Sequence, residues 1–217
     1  MLRLLSFLSV LALLSSCTIQ ENIHFNADFS GNYKIKVDMS ALAGFGAAMG
    51  DSTATAPESM FTPEQLDSMR MELASVPGIT NMSVTEESYV LSMSLDFDKL
   101  ETFASFNAMD PNNTAGNANA KPRFEKSGNN LVYNFDADAI KEAMGTASEG
   151  DDASMDDMGM NEMFTFQTVL TFEKPVKKVQ SKIAELNKET NEVVFNYNLK
   201  DAIEKGNDWK TTISLGK

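Results

Sequence analysis

The chain has 217 residues, a formal net charge of −13, one cysteine, one histidine and 14 methionines. That acidity argues against nucleic acid as a partner and against bare anionic headgroups. A single cysteine excludes an internal disulfide, so stability has to come from an apolar core.

Arg3 supplies a positive start, and residues 4–14 are apolar apart from Ser6 and Ser9. The run is about half of the ~20 residues that a membrane-spanning helix needs. Small residues Ser15 and Ser16 then precede Cys17, the layout of an export signal. Leu14-Ser15-Ser16-Cys17 reads as a lipobox, in which the chain is cleaved after Ser16 and Cys17 becomes an acylated N-terminus bearing palmitate-type chains. The bland alternative is an ordinary secretory signal with Cys17 incidental. Against it stands the fact that the only cysteine falls where a lipobox requires one. Each buried methylene of such an anchor contributes ~0.8 kcal/mol, so several acyl chains hold permanently. Loss of the 16-residue signal and its one charge, Arg3, leaves 201 residues at −14. That length suits one sizeable core, and a single domain over 17–217 is expected.

In the first mature segment Ile19, Ile23 and Phe25 share one strand face, with Gln20, Asn22 and His24 on the other. A turn over 27–32 follows, in which Gly31 can take positive φ. Tyr33, Ile35, Val37 and Met39 then alternate with Lys34, Lys36 and Asp38, completing a half-buried hairpin. Ser40 is placed to cap a short helix through residue 49. Thr62-Pro63-Glu64-Gln65 opens the next helix with a capping box and proline at N1. Leu66, Met69 and Leu73 give it one apolar stripe, and Pro77-Gly78 ends it.

Segments 79–87 and 89–97 form a second hairpin, and Asp98 caps a helix carrying Leu100, Phe103 and Phe106. Residues 107–122, rich in Asn and Ala, are expected as a flexible loop. A third hairpin spans 123–135, and Asp138 caps a helix through Met144. An acidic, glycine-bearing loop is expected at 145–161. Residues 162–173 make a long strand with Phe164, Phe166, Leu170 and Phe172 on one face, ended by Pro175. Segments 176–186, 193–199 and 209–215 read as further strands, and Asp201 as the cap of a short helix. The step from strand into capped helix recurs four times at irregular spacing, so no solenoid is implied. The expected architecture is α+β, an antiparallel sheet built of hairpins with one face covered by short helices and the other solvated.

Chemistry is sparse. His24, the only histidine, lies on a polar strand face, and no Gly-x-Ser-x-Gly elbow occurs. Asp96 with Asp98 and Asp136 with Asp138 could pair as carboxylates, but each is better explained at a strand end or helix cap. The stretch 151–163 combines carboxylates with Met155, Met158, Met160 and Met163. Thioethers suit soft Cu(I), and the carboxylate spacing does not fit an EF-hand. A solvated acidic loop in a methionine-rich chain explains it as well. No cofactor is expected, and no enzymatic activity. Phe- and Met-rich strand faces adapt to flexible apolar ligands, although they equally fill a core.

Three stretches resemble the LppM-like family of bacterial lipoproteins. Residues 23–31, Ile-His-Phe-Asn-Ala-Asp-Phe-Ser-Gly, are similar to its strand-turn-strand opening, with Phe29 where that family has glycine. Leu170-Thr171-Phe172-Glu173-Lys174-Pro175-Val176 is similar to its Phe-x-x-Pro-Val strand end, and 193–201 to its closing strand. The resemblance implies an exported, lipid-anchored domain with a fold like lipid-binding modules and no catalytic residues to transfer. The start of the mature chain also resembles lipoproteins of the Bacteroidetes type. Thr18, with no aspartate after the cysteine, fits outer-membrane sorting. The reading is an envelope lipoprotein with a structural or interaction role toward other envelope proteins. Its alternative is a carrier or sensor of lipid or another apolar ligand.

Overall fold

Strict alternation of apolar and polar residues makes most of this chain strand, and the strands fall into two sheets. The computed structural model describes residues 17–41, 59–103, 122–135, 164–205 and 209–216. The seven-stranded sheet takes β1 (Cys17–Phe25), β2 (Gly31–Asp38), β3 (Ile79–Glu87), β4 (Val90–Phe97), β7 (Phe164–Phe172), β9 (Ala184–Asn187) and β10 (Glu192–Asn198), in the order β3-β4-β2-β1-β7-β10-β9. The four-stranded sheet takes β5 (Phe124–Ser127), β6 (Asn130–Asn134), β8 (Val176–Gln180) and β11 (Lys210–Leu215), in the order β5-β6-β11-β8. Helices α1 (Pro63–Ala74) and α2 (Leu199–Lys205) accompany them.

Two parts of the expected architecture need correction. The large sheet is mixed, because β1 and β7 run parallel with Cys17 beside Phe164 and Phe25 beside Phe172. Parallel neighbours need a long crossover, which local periodicity cannot reveal. The main cover of the apolar face is the second sheet rather than short helices. Phe25 meets Phe124 of β5 at 5.7 Å between ring centres, and Tyr133 of β6 meets Phe195 of β10 at 4.9 Å. Phe103, on a helical turn at 100–103, joins the same cluster against Phe97 at 4.8 Å. The opposite face of the large sheet is polar, with Asn22, His24, Lys34 and Lys36 exposed. Pairs of rings at these separations contribute ~0.5–1.5 kcal/mol each beyond the area that they bury.

Local signals hold where they are chemical. Thr62 caps α1 as a full capping box: its Oγ1 accepts from the Gln65 amide at 3.3 Å, and Gln65 Oε1 accepts from the Thr62 amide at 2.8 Å. The cap of α2 is Asn198, not Asp201. Asn198 Oδ1 accepts the Asp201 amide at 2.7 Å, while Asp201 pairs with Lys205 at 2.6 Å. The helix begins early because buried Leu199 belongs to it. Segment 176–186 is two strands in different sheets. Ser181 breaks it, its Oγ accepting the amides of Ile183 and Ala184 at 3.1 and 2.9 Å. Pro175 sits where the chain leaves β7 for the other sheet. Asn191 secures that crossing, donating to the carbonyls of Phe172 and Lys174 and accepting from the Val176 amide. The expected helices through residues 49 and 144, and the loops near 107–122 and 145–161, lie wholly or almost wholly outside the described residues.

In the β1–β2 turn the residue at positive φ is Phe29 (φ 70°), not Gly31. That conformation costs a non-glycine residue ~1–3 kcal/mol. Burial of the Phe29 ring against Phe25, at 6.3 Å, offsets it. Gly31 is needed for space. A Cβ there would lie 1.9 Å from the His24 carbonyl oxygen and 2.7 Å from the Phe97 ring. Gly31→Ala is therefore expected to destabilise the domain by ~2 kcal/mol or more, read as a lower urea midpoint. An unchanged midpoint would show that the turn has room to shift.

Candidate functional site: a buried carboxylate on the first strand

Odd-numbered residues of β1 point into the space between the sheets, and one of them, Glu21, is charged and buried. Its carboxylate is saturated. Tyr33 of β2 donates its hydroxyl to Oε1 at 2.9 Å, and Thr168 of β7 donates to Oε2 at 2.9 Å. Arg123, just before β5, grips both oxygens. Its Nη1 donates to Oε1 at 2.8 Å and its Nη2 to Oε2. The guanidinium also lies 5.5 Å from the Phe124 ring centre and 5.4 Å from that of Tyr133.

The electrostatics leave the pair ionised. Burial pushes the Glu21 carboxyl up, but the Arg123 charge and the donors from Arg123, Thr168 and Tyr33 bring it below its ordinary 4.5. Burial alone would lower Arg123, yet Glu21 holds the guanidinium well above its ordinary value. Burial likewise raises the hydroxyls of Tyr33, Tyr133 and Tyr197, keeping them protonated as donors. A carboxylate with every lone-pair direction occupied is a poor proton shuttle. Its physical effect is to fasten the four-stranded sheet to the first strand of the other, through partners 102 residues apart.

Cys17 is the first residue of β1, four residues before Glu21 on the same face. It is fully buried, and its carbonyl accepts from Thr165 Oγ1 at 3.4 Å. Ser16 lies outside the described residues, as do Met155, Met158, Met160 and Met163. Among the described residues no group of three or more His, Cys, Asp or Glu side chains is placed to hold a metal. His24 is exposed on the outer sheet face. Asp96 and Asp98 are each engaged locally. Asp96 accepts from Asn32 at 2.7 Å and Asn81 at 2.8 Å, which hold its carboxyl below the ordinary range. Asp98 accepts from the Thr102 hydroxyl at 2.6 Å. Asp136 and Asp138 lie outside the described residues.

An open hollow of about 440 Å³ lies on the outer face near the start of β1, lined by Thr18, Gln20, Thr165, Gln167, Asn196 and Asp201 among others. Gln167 Nε2 donates to Asn196 Oδ1 at 3.0 Å across its floor. The Glu21 centre was invisible to hairpin reading. Its one signal is a carboxylate on the Ile19, Ile23, Phe25 face of an otherwise alternating strand.

Removing one partner of a buried ion pair strands the other charge, at ~3–5 kcal/mol. Arg123→Met is thus expected to lower stability by that amount in urea unfolding, and adding Glu21→Gln to recover a large part of it. Two equal, additive losses would mean the charges are not coupled. The pH profile has a fixed sign. Because Glu21 titrates lower folded than unfolded, its contribution is complete above pH 4.5 and is lost as pH falls through the folded value. Glu21→Gln should flatten that acid limb, and an unchanged limb would place the loss at other carboxylates.

Among solved structures, the chain is similar to the NMR structure of the folded domain of the LppM protein of Mycobacterium tuberculosis. The TM-score is 0.41 and the sequence identity 9%, over 93% of this chain and 91% of that one. That protein carries the name of the family whose motifs the sequence resembles. No protein-family model and no curated protein matches the chain.

Proposed function

We propose that this chain is a bacterial envelope lipoprotein, anchored through acyl chains on Cys17, whose domain has a non-enzymatic structural or interaction role. The observation that carries the reading is the sequence pattern at Cys17. The lipobox Leu14-Ser15-Ser16-Cys17 ends at the only cysteine, and that residue already lies within the first strand, so no linker separates it from the domain. A domain that starts at its own anchor stays close to the bilayer, which suits contact with neighbouring envelope components better than long reach. Among the described residues no helix is long and apolar enough to cross a membrane. Thr18 after the cysteine supports sorting to the outer membrane.

The alternative, a carrier of lipid or another apolar ligand, has less support. The Phe-rich faces pack ring on ring between the sheets, with Phe25 touching Phe97, Phe124 and Phe172 at 5.4–5.9 Å. Rings so engaged are core.

The test is metabolic labelling with an alkyne fatty acid in a bacterial host, comparing the wild-type chain with Cys17→Ala. Label on the wild type and none on the variant is expected, with the variant released from the membrane fraction. Label absent from both chains would refute the anchor.

A further inference from the structure

The two sheets differ in charge. Strands β5, β6, β8 and β11 carry Lys126, Lys177, Lys178 and Lys210 against Glu125 alone. The strands of the seven-stranded sheet carry Lys34 and Lys36 amid a majority of carboxylates, among them Asp38, Glu86 and Glu87. In a chain of net charge −13 this is a segregation, hidden by the total. All four lysines of the smaller sheet are exposed. Lys126 Nζ stands 4.8 Å from the Phe29 ring centre. Among the described residues no carboxylate forms an ion pair with Lys177, Lys178 or Lys210.

Lysines on a sheet edge also deter edge-to-edge pairing. That explanation covers Lys177 and Lys178 on β8, which is an edge strand. It does not cover Lys210, because β11 lies between β6 and β8. The position of Lys210 is informative for another reason. It follows Trp209, whose ring lies 5.4 Å from that of Tyr197. Tyr197 is in register with Phe166, and Phe166 with Ile19, two residues from Cys17. The lysine-bearing sheet therefore begins at the tethered end of the domain. Screening confines each charge to about 8 Å at physiological salt, so a contacting surface meets these lysines together with Glu125, whose carboxylate accepts from Asn134, the register partner of Lys210.

We propose that the exposed lysines Lys177, Lys178 and Lys210 of the four-stranded sheet dock on anionic, phosphate-bearing headgroups of the bilayer, laying the domain against the membrane that holds Cys17; Lys126, in register with buried Leu131 and over the Phe29 ring, is not one of them. This rests on the anchor reading above. Each lysine close to an anionic surface contributes about fivefold in affinity.

The test reconstitutes the full chain, purified with its own anchor, into vesicles of phosphatidylcholine alone or with added phosphatidylglycerol. Flotation reports attachment, and amine-reactive labelling read by mass spectrometry reports which lysines are covered. Attachment to both vesicle types, with labelling of Lys177, Lys178 and Lys210 reduced about fivefold only on the anionic ones and restored by high salt, is the expected result. Lys34 and Lys36, on the outer face of the other sheet, should label equally on both. Attachment to both with equal labelling of the three lysines would overturn the docking and leave the anchor standing. Attachment and protection on anionic vesicles alone would keep the docking and remove the anchor. Attachment to neither would overturn both.

Discussion

A carboxylate buried between two sheets constrains everything around it. Glu21 is tolerable there only because Arg123, Tyr33 and Thr168 reach it together, and each arrives from a different element. Three strands and the start of a fourth have to be in register at one point for that charge to be satisfied. The same strand that carries Glu21 begins at Cys17. Strand β1 thus joins Cys17 to the centre of the domain, with β2 on one side and β7 on the other.

The aromatic cluster complements that polar centre. Phe25, two turns of the pleat beyond Glu21, contacts rings from β4, β5 and β7 as well as from the turn. The polar centre specifies which strands meet, and the rings supply the apolar burial that holds them. The substitution of Phe29 at a left-handed position follows the same logic. A strained backbone is kept because the ring it directs inward covers the end of the core.

What was legible in the sequence was local. Period-two alternation located nearly every strand, and the capping box of α1 was visible residue by residue. Partner choice was not legible. The pairing of β1 with β7 joins residues 147 apart, and nothing in either strand names the other. Assignment of strands to one sheet or two has the same difficulty, since β5, β6, β8 and β11 alternate just as the others do. The break inside 176–186 turned on one serine hydroxyl accepting two amides. Asp201 was a sound cap by residue type, but the burial of Leu199 moved the helix start three residues earlier. The Glu21–Arg123 pair was not legible, because an ion pair across 102 residues leaves no spacing to read.

The central claim is that the mature chain starts, lipid-modified, at Cys17. Intact-mass measurement of the protein extracted from bacterial membranes in detergent tests it most directly. The account predicts the mass of a chain beginning at Cys17 and increased by a diacylglyceryl group with or without an amide-linked acyl chain. An unmodified mass, or an N-terminus at any other residue, would contradict it.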